Sequence, residues 1–177
     1  MRVRWRRERV PDEVKQTVKL QRGEQMLSVC SSDGTGYLAA SDRALYRVTP
    51  PSAQRLRWDL IDRAVWEPPR LRLEVRDDQT GEVAALVWEA DQTADLPAVV
   101  RERVTGTILV NSQVPVPGGS AQVIARRHSD TGAVQWRIVF GAGVDAQRHG
   151  ICGPVPRDVF QQRRDDHAAA GPLLGAE

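Results

Sequence analysis

Three histidines, two cysteines, two pairs of adjacent aspartates and five tryptophans are the side chains whose chemistry this 177-residue chain offers. His128, His149 and His167 are scattered among polar segments, so none has a partner at metal-ligand or acid/base spacing. Asp77-Asp78 and Asp165-Asp166 are neighbours in sequence. On a strand or a helix adjacent side chains point apart, so neither pair forms a natural dyad; both read as turn or solvated surface. Cys30 and Cys152 have neither metal-site nor CxxC spacing. Cys30 lies in an apolar stretch and reads as a small core residue. No GxGxxG, GxxxxGK[ST], GxSxG or HExxH pattern occurs. The expectation is a non-enzyme with no catalytic, metal or cofactor-binding residue and no cofactor.

The tryptophans are Trp5, Trp58, Trp66, Trp88 and Trp136. Trp66, Trp88 and Trp136 are the candidate partner surface, and packing in a core or at its rim is the competing reading. Lysine and arginine number 25 against 23 acidic residues, a net charge of +2 that demands no polyanionic partner. All but Lys15 and Lys19 of those cations are arginine, which together with much Ala and Val reads as the coding bias of a GC-rich genome. One local cluster stands apart from that bias. Arg2, Arg4, Arg6, Arg7 and Arg9 face only Glu8 in a short N-terminal arm. Such an arm is either a solvated terminus or a weak electrostatic tether to nucleic acid or anionic membrane.

These residues must be positioned by short strands and one good helix. Asp12 and Glu13, followed by Lys15 and Lys19, suit the two ends of a short helix, with Val14 and Val18 on one face. A strand over 25–31 leads to the turn Ser32-Asp33-Gly34-Thr35-Gly36. Tyr37-Leu38-Ala39-Ala40 and Ala44-Leu45-Tyr46-Arg47-Val48 flank Ser41-Asp42-Arg43 as a pair of strands. Residues 54–58 and 63–67 follow, closed by Pro50-Pro51 before and Pro68-Pro69 after. Leu71, Leu73 and Val75 alternate with Arg70, Arg72, Glu74 and Arg76, a period-2 pattern. Asp77-Asp78-Gln79-Thr80-Gly81 turns that strand into 82–89. Leu96, Val99, Val100 and Val104 form a helical stripe, with Asp95 at its start, Pro97 in its first turn and Gly106 as its stop. Beyond it, 107–110 reads as strand and Pro115-Val116-Pro117-Gly118-Gly119 as loop. A hairpin then turns at Ser129-Asp130-Thr131-Gly132. On its return strand Val134, Trp136, Ile138 and Phe140 share a face expected to pack on the body, either near the helix or as an added strand. A further short helix over 157–170 is a candidate, and the end of the chain reads as tail.

Seven strands followed by one helix is the element order of a pleckstrin-homology-like barrel, and three segments carry the resemblance. Leu20-Gln21-Arg22-Gly23-Glu24 resembles the opening of that domain. The run from Gly36 through Ser41-Asp42-Arg43 to Leu45-Tyr46 resembles its strand-turn-strand segment. Leu56-Arg57-Trp58-Asp59-Leu60-Ile61, continuing to Trp66, resembles its aromatic, acid and Ile signature. The resemblance covers about residues 20–105 and is to small actinobacterial proteins with a bacterial pleckstrin-homology-like domain. It implies a mainly β, α+β fold: a seven-stranded antiparallel barrel capped by one helix and followed by an extra β-hairpin. Leu45, Leu56, Ile61, Leu71, Leu73, Val75 and Leu86 would fill it. The expected organisation is a basic arm and short helix over 1–19, the barrel over 20–106, a β extension packed on it over 107–145, and an irregular or partly helical tail over 146–177.

The resemblance implies a fold and no activity. The expected function is a non-catalytic cytoplasmic protein-interaction or scaffold module with an unidentified protein partner, docking through a sheet edge or through the hairpin after residue 106. The alternative is an electrostatic binder of nucleic acid or anionic membrane through the arm. The first-hairpin turn carries an acid and no base, which disfavours specific phosphoinositide binding. No apolar run is long enough to cross a bilayer as a helix, so no transmembrane segment is expected.

Overall fold

The computed structural model describes residues 10–32, 34, 36–91, 95–141 and 144. The five arginines of the arm, Trp5, Cys152, His149, His167, Asp165-Asp166 and the candidate helix over 157–170 lie outside the described residues. The chain is mainly β. A short helix α1 (Asp12–Thr17) precedes β1 (Met26–Ser32), β2 (Gly36–Ser41), β3 (Ala44–Thr49) and β4 (Ser52–Arg57), which form an antiparallel sheet in chain order. A 3-10 turn at Trp58–Leu60 leads into a second sheet, β5 (Ile61–Glu67), β6 (Arg70–Arg76) and β7 (Val83–Glu89). Helix α2 (Leu96–Thr107) follows. A third antiparallel sheet then contains β8 (Ile108–Val116), β9 (Gly119–Arg127) and β10 (Val134–Phe140), with β9 in the middle.

The main core lies between the first two sheets and α2. Leu38, Leu45, Leu56, Trp58, Ile61, Leu71 and Leu73 fill it from the strands, with Leu27, Val75 and Leu86 partly buried against them. The stripe Leu96, Val99, Val100 and Val104 closes it. Alternation puts Leu71 and Leu73 inside while Arg70, Arg72 and Glu74 stay in water. The first sheet is buried on its other face too, where Val14 and Val18 cover Val29, Ala39, Tyr46 and Val48. That second layer is why β2 and β3 read as near-continuous apolar runs rather than alternating ones. Gly36 sits where any Cβ would come 2.8 Å from the Val48 carbonyl oxygen, so only glycine allows β2 to approach β3 this closely.

The sheets meet at two corners. Asp91 donates its backbone N–H to Ser31 (3.0 Å), and Ser32 Oγ donates to the Glu89 carbonyl, which ties β7 to β1. At the other corner the Trp58 N–H reaches the Arg43 carbonyl (3.5 Å), and Trp58 Nε1 donates to the Ser41 carbonyl (3.1 Å). The turn between β2 and β3 is held by a buried carboxylate. Ser41 Oγ donates to Glu24 (2.5 Å) and accepts the N–H groups of Arg43 and Ala44, while the Tyr46 hydroxyl donates to the same Glu24 oxygen (2.8 Å). Burial and this carboxylate together push the Tyr46 phenol up to about 12.

Three expectations need correction. Gly106 does not stop α2, which continues to Thr107, whose hydroxyl donates to the Val104 carbonyl (2.7 Å). The segment 115–119 is not all loop. β8 runs through Pro115 to Val116, and only Pro117-Gly118 separates it from β9, with Gly118 at φ 83°. Pro115 is tolerated because β8 is an edge strand with a side that needs no donor. The face Val134, Trp136, Ile138 and Phe140 is covered only in part, although its β9 neighbours on the same side, Ala121, Val123 and Ala125, are buried. Val134 is 49 % and Trp136 38 % exposed, and Ile138 and Phe140 are half-buried. Neither core cluster contains a residue of the third sheet. The hydrogen bonds that join that sheet to the start of β5 come from its opposite side, through Arg126 and Arg137.

Candidate functional site

Arg126 decides how the third sheet docks. It lies in β9, on the face that alternation sets opposite Val123 and Ala125, and it is 8 % exposed. Its Nη1 donates to the Ile61 carbonyl at 2.7 Å and lies 3.4 Å from those of Asp59 and from Thr107 Oγ1; Nη2 lies 3.4 Å from the Asp62 carbonyl. A strand edge leaves such carbonyls unpaired, and one guanidinium satisfies them at the start of β5. Around this latch the hairpin tip makes reciprocal bonds. Ser129 donates its N–H to Asp59 Oδ1 (2.9 Å), and the Asp59 N–H reaches Ser129 Oγ (3.2 Å). Arg55 forks onto both oxygens of Asp130, at 3.1 and 2.5 Å. Burial alone would raise the carboxyls of Asp59 and Asp130. The bonds from Ser129 and Arg57 to the first, and from Arg55 to the second, outweigh it and hold both below the usual carboxylate range.

The three tryptophans expected to form one partner surface are separated. Trp88 is a correction: it is 2 % exposed and belongs to the main core, because its row across the second sheet, Trp66–Leu71–Trp88, points inward. Trp66, at the β5 end of that row, is half-buried and reaches the rim. Trp136 stands on a different part of the molecule, in the wall of a cleft between the β6–β7 turn and the third sheet.

Trp66 lines an open groove of about 1160 Å³ between β5 and α2. Ala64, Leu71, Pro97, Ala98 and Val100 supply its apolar walls, and Arg101 and Glu102 stand at its margin with opposite charges. β5 pairs with β6 on one side, and no other described strand pairs with it. Arg126 covers only the first carbonyls of its free edge. Over residues 63–67 the groove therefore runs beside a strand edge able to give and accept backbone hydrogen bonds. Arginine inside an apolar strand carried no distinctive pattern in the sequence; the one usable signal was that Arg126 shares strand parity with Ile124 rather than with the exposed end at Arg127.

Among the described residues no group of three or more His, Cys, Asp or Glu side chains could hold a metal ion. No described helix is long and apolar enough to cross a membrane. No family model, no curated protein and no solved structure matches the chain.

Proposed function

We propose that this protein is a non-catalytic interaction module with a pleckstrin-homology-like core, and that the groove between β5 and α2 takes an extended apolar segment of a partner protein. The four-plus-three strand order ending in a helix that seals the core supports the fold reading. The observation that carries the functional one is the coincidence of an unpaired strand edge with an apolar groove. A free edge selects an extended backbone, because only that conformation presents donors and acceptors at its spacing. Ala64, Trp66, Pro97 and Val100 select apolar side chains at alternate positions of that backbone. Five edge residues accommodate a segment of roughly five residues, about 17 Å long. Asp95 and Glu102 against Arg101 leave the groove's lining with one net negative charge, a weak preference, so affinity comes from main-chain bonds and apolar burial rather than from steering.

Selection of displayed random peptides on the full chain tests this. The expected product is a family of short peptides with apolar residues at every second position. Their binding should slow amide exchange over residues 63–67 and fail in Ala98→Glu, an exposed groove position that can change without disturbing the core. Absence of any enriched peptide, or peptides that bind Ala98→Glu as well as the wild type, overturns the reading.

A further inference from the structure

We propose that the groove between β5 and α2 is filled by the N-terminal arm of a second copy of this chain, whose residues 2–6 add to the free edge of β5 as an antiparallel strand. We rest this on the reading of that groove as a site for an extended apolar segment, and the chain itself supplies one. Two copies that exchange arms in this way form a symmetric dimer.

A segment for this groove needs apolar side chains at every second position. In the run Met1-Arg2-Val3-Arg4-Trp5-Arg6 the apolar residues alternate strictly with arginines. As a strand this run carries one apolar side and one cationic side. The apolar side, with Val3 and Trp5, matches walls made by Ala64, Trp66, Pro97 and Val100, and the cationic side stays in water. A solvated electrostatic tether needs the arginines alone and gives no reason for Val3 and Trp5 between them. The groove's lining, with Asp95 and Glu102 against Arg101, adds a weak preference for a cationic segment.

Size and charge select one register. With Trp5 opposite Ala64 and Val3 opposite Trp66, a large side chain meets a smaller one at both groove-facing positions. Arg2 then falls opposite Glu67, which pairs with Arg72 at 3.2 Å and is still 62 % exposed. Arg6 falls opposite Arg63, the one like-charge pair, and Glu74 at 3.8 Å from Arg63 offsets it. Residues 2–6 thereby cover edge residues 63–67 one for one.

The arm comes from another molecule because a chain's own arm falls short. Val10 packs against the cluster on the outer face of the first sheet, whereas the groove lies on the second sheet, beyond the main core. Packed layers lie about 10 Å apart, so the path is roughly 20 Å, and residues 7–9 span only about 10 Å when extended.

Analytical ultracentrifugation of the full chain, with amide exchange measured at low and high protein concentration, tests this. The wild type should form dimers, and exchange over residues 63–67 should slow as they form. Trp5→Glu leaves the groove intact and Ala98→Glu leaves the arm intact. Each should raise the dimer Kd roughly thirtyfold or more, the scale of a lost hot-spot residue. Mixed, the two variants keep one arm-in-groove contact, so they should bind each other more tightly than either binds itself. Should Trp5→Glu fail to fold, Val3→Glu serves in its place with the same expected loss. The proposal is overturned if the wild type stays monomeric at millimolar concentration, if its dimer survives Trp5→Glu, or if the mixed variants bind each other no better than themselves. Slowing over 63–67 that does not depend on concentration also overturns it, because the arm would then fill its own groove. If the arm fails while displayed peptides still bind the groove, the peptide reading stands without it; if no peptide binds either, both fall.

Discussion

The body formed by β1–β7 and α2 and the sheet formed by β8–β10 are built of similar strands but joined to their surroundings by opposite means. Inside the body, two sheets and a helix meet through aliphatic side chains and two buried tryptophans. The third sheet meets the body through Arg126 on the carbonyls of β5, Ser129 on Asp59, Arg55 on Asp130 and Arg137 on Asp62. The first kind of contact is non-directional and scales with area. The second is directional, and each bond nets little unless its loss leaves a buried group unsatisfied. The difference teaches that the third sheet is joined to β1–β7 and α2 through directional polar contacts and contributes no residue to either core cluster, and that the joint leaves a cleft at its seam.

Substitutions on either side of the joint should separate the two regimes. The largest effect belongs to the body. Ile61→Asp buries an unpaired carboxylate at the centre of the main core, with a cost of several kcal/mol, comparable to the whole stability of a small domain. Thermal denaturation should lose its cooperative transition; a melt within a few degrees of wild type would show that the core does not depend on this side chain.

An intermediate effect belongs to the latch. Arg126→Met keeps the length of the side chain and removes its donors, leaving the Ile61 carbonyl unpaired, at about 1–3 kcal/mol. Hydrogen exchange should accelerate over residues 108–140 while β1–β7 stay protected. Uniform acceleration through both regions would show that the third sheet and the body form one cooperative unit.

The smallest effect is Trp136→Ala. A buried aromatic would cost about 3–5 kcal/mol, and the apolar pattern of β10 alone leads to that figure. With the ring more than one third exposed, the expected loss is about 1 kcal/mol or less. Chemical denaturation of the variant measures it, and a loss in the larger range would place the ring inside the fold.

Much of the body was legible residue by residue. The alternation through Leu71, Leu73 and Val75, the stripe Leu96, Val99, Val100 and Val104, and the turns at 77–81 and 129–132 name elements that the structure contains, because backbone geometry translates spacing into a face. The candidate groove was legible only as an unspecified sheet edge. Which strand would be the edge, and that α2 would lie beside it, depend on sheet order, which side-chain periodicity does not encode. Trp66 and Trp88 illustrate the limit: both read as strand residues with one apolar face, and their separation into rim and core follows from the position of α2 over β5.

The sequence by itself determined where strands and helix form and which residues of each share a side, since these are properties of local geometry and of a pattern a few residues long. Only the tertiary structure decided which side of the third sheet makes the joint to β5. For β10 the apolar side is the obvious inward choice from local pattern. The bonds to the start of β5 come from the other side instead, because that strand presents unpaired carbonyls and Asp62 presents a carboxylate, all more than sixty positions away along the chain from Arg126. Satisfying buried polar groups depends on partners that only folding brings together, and no local pattern within β9 or β10 records them.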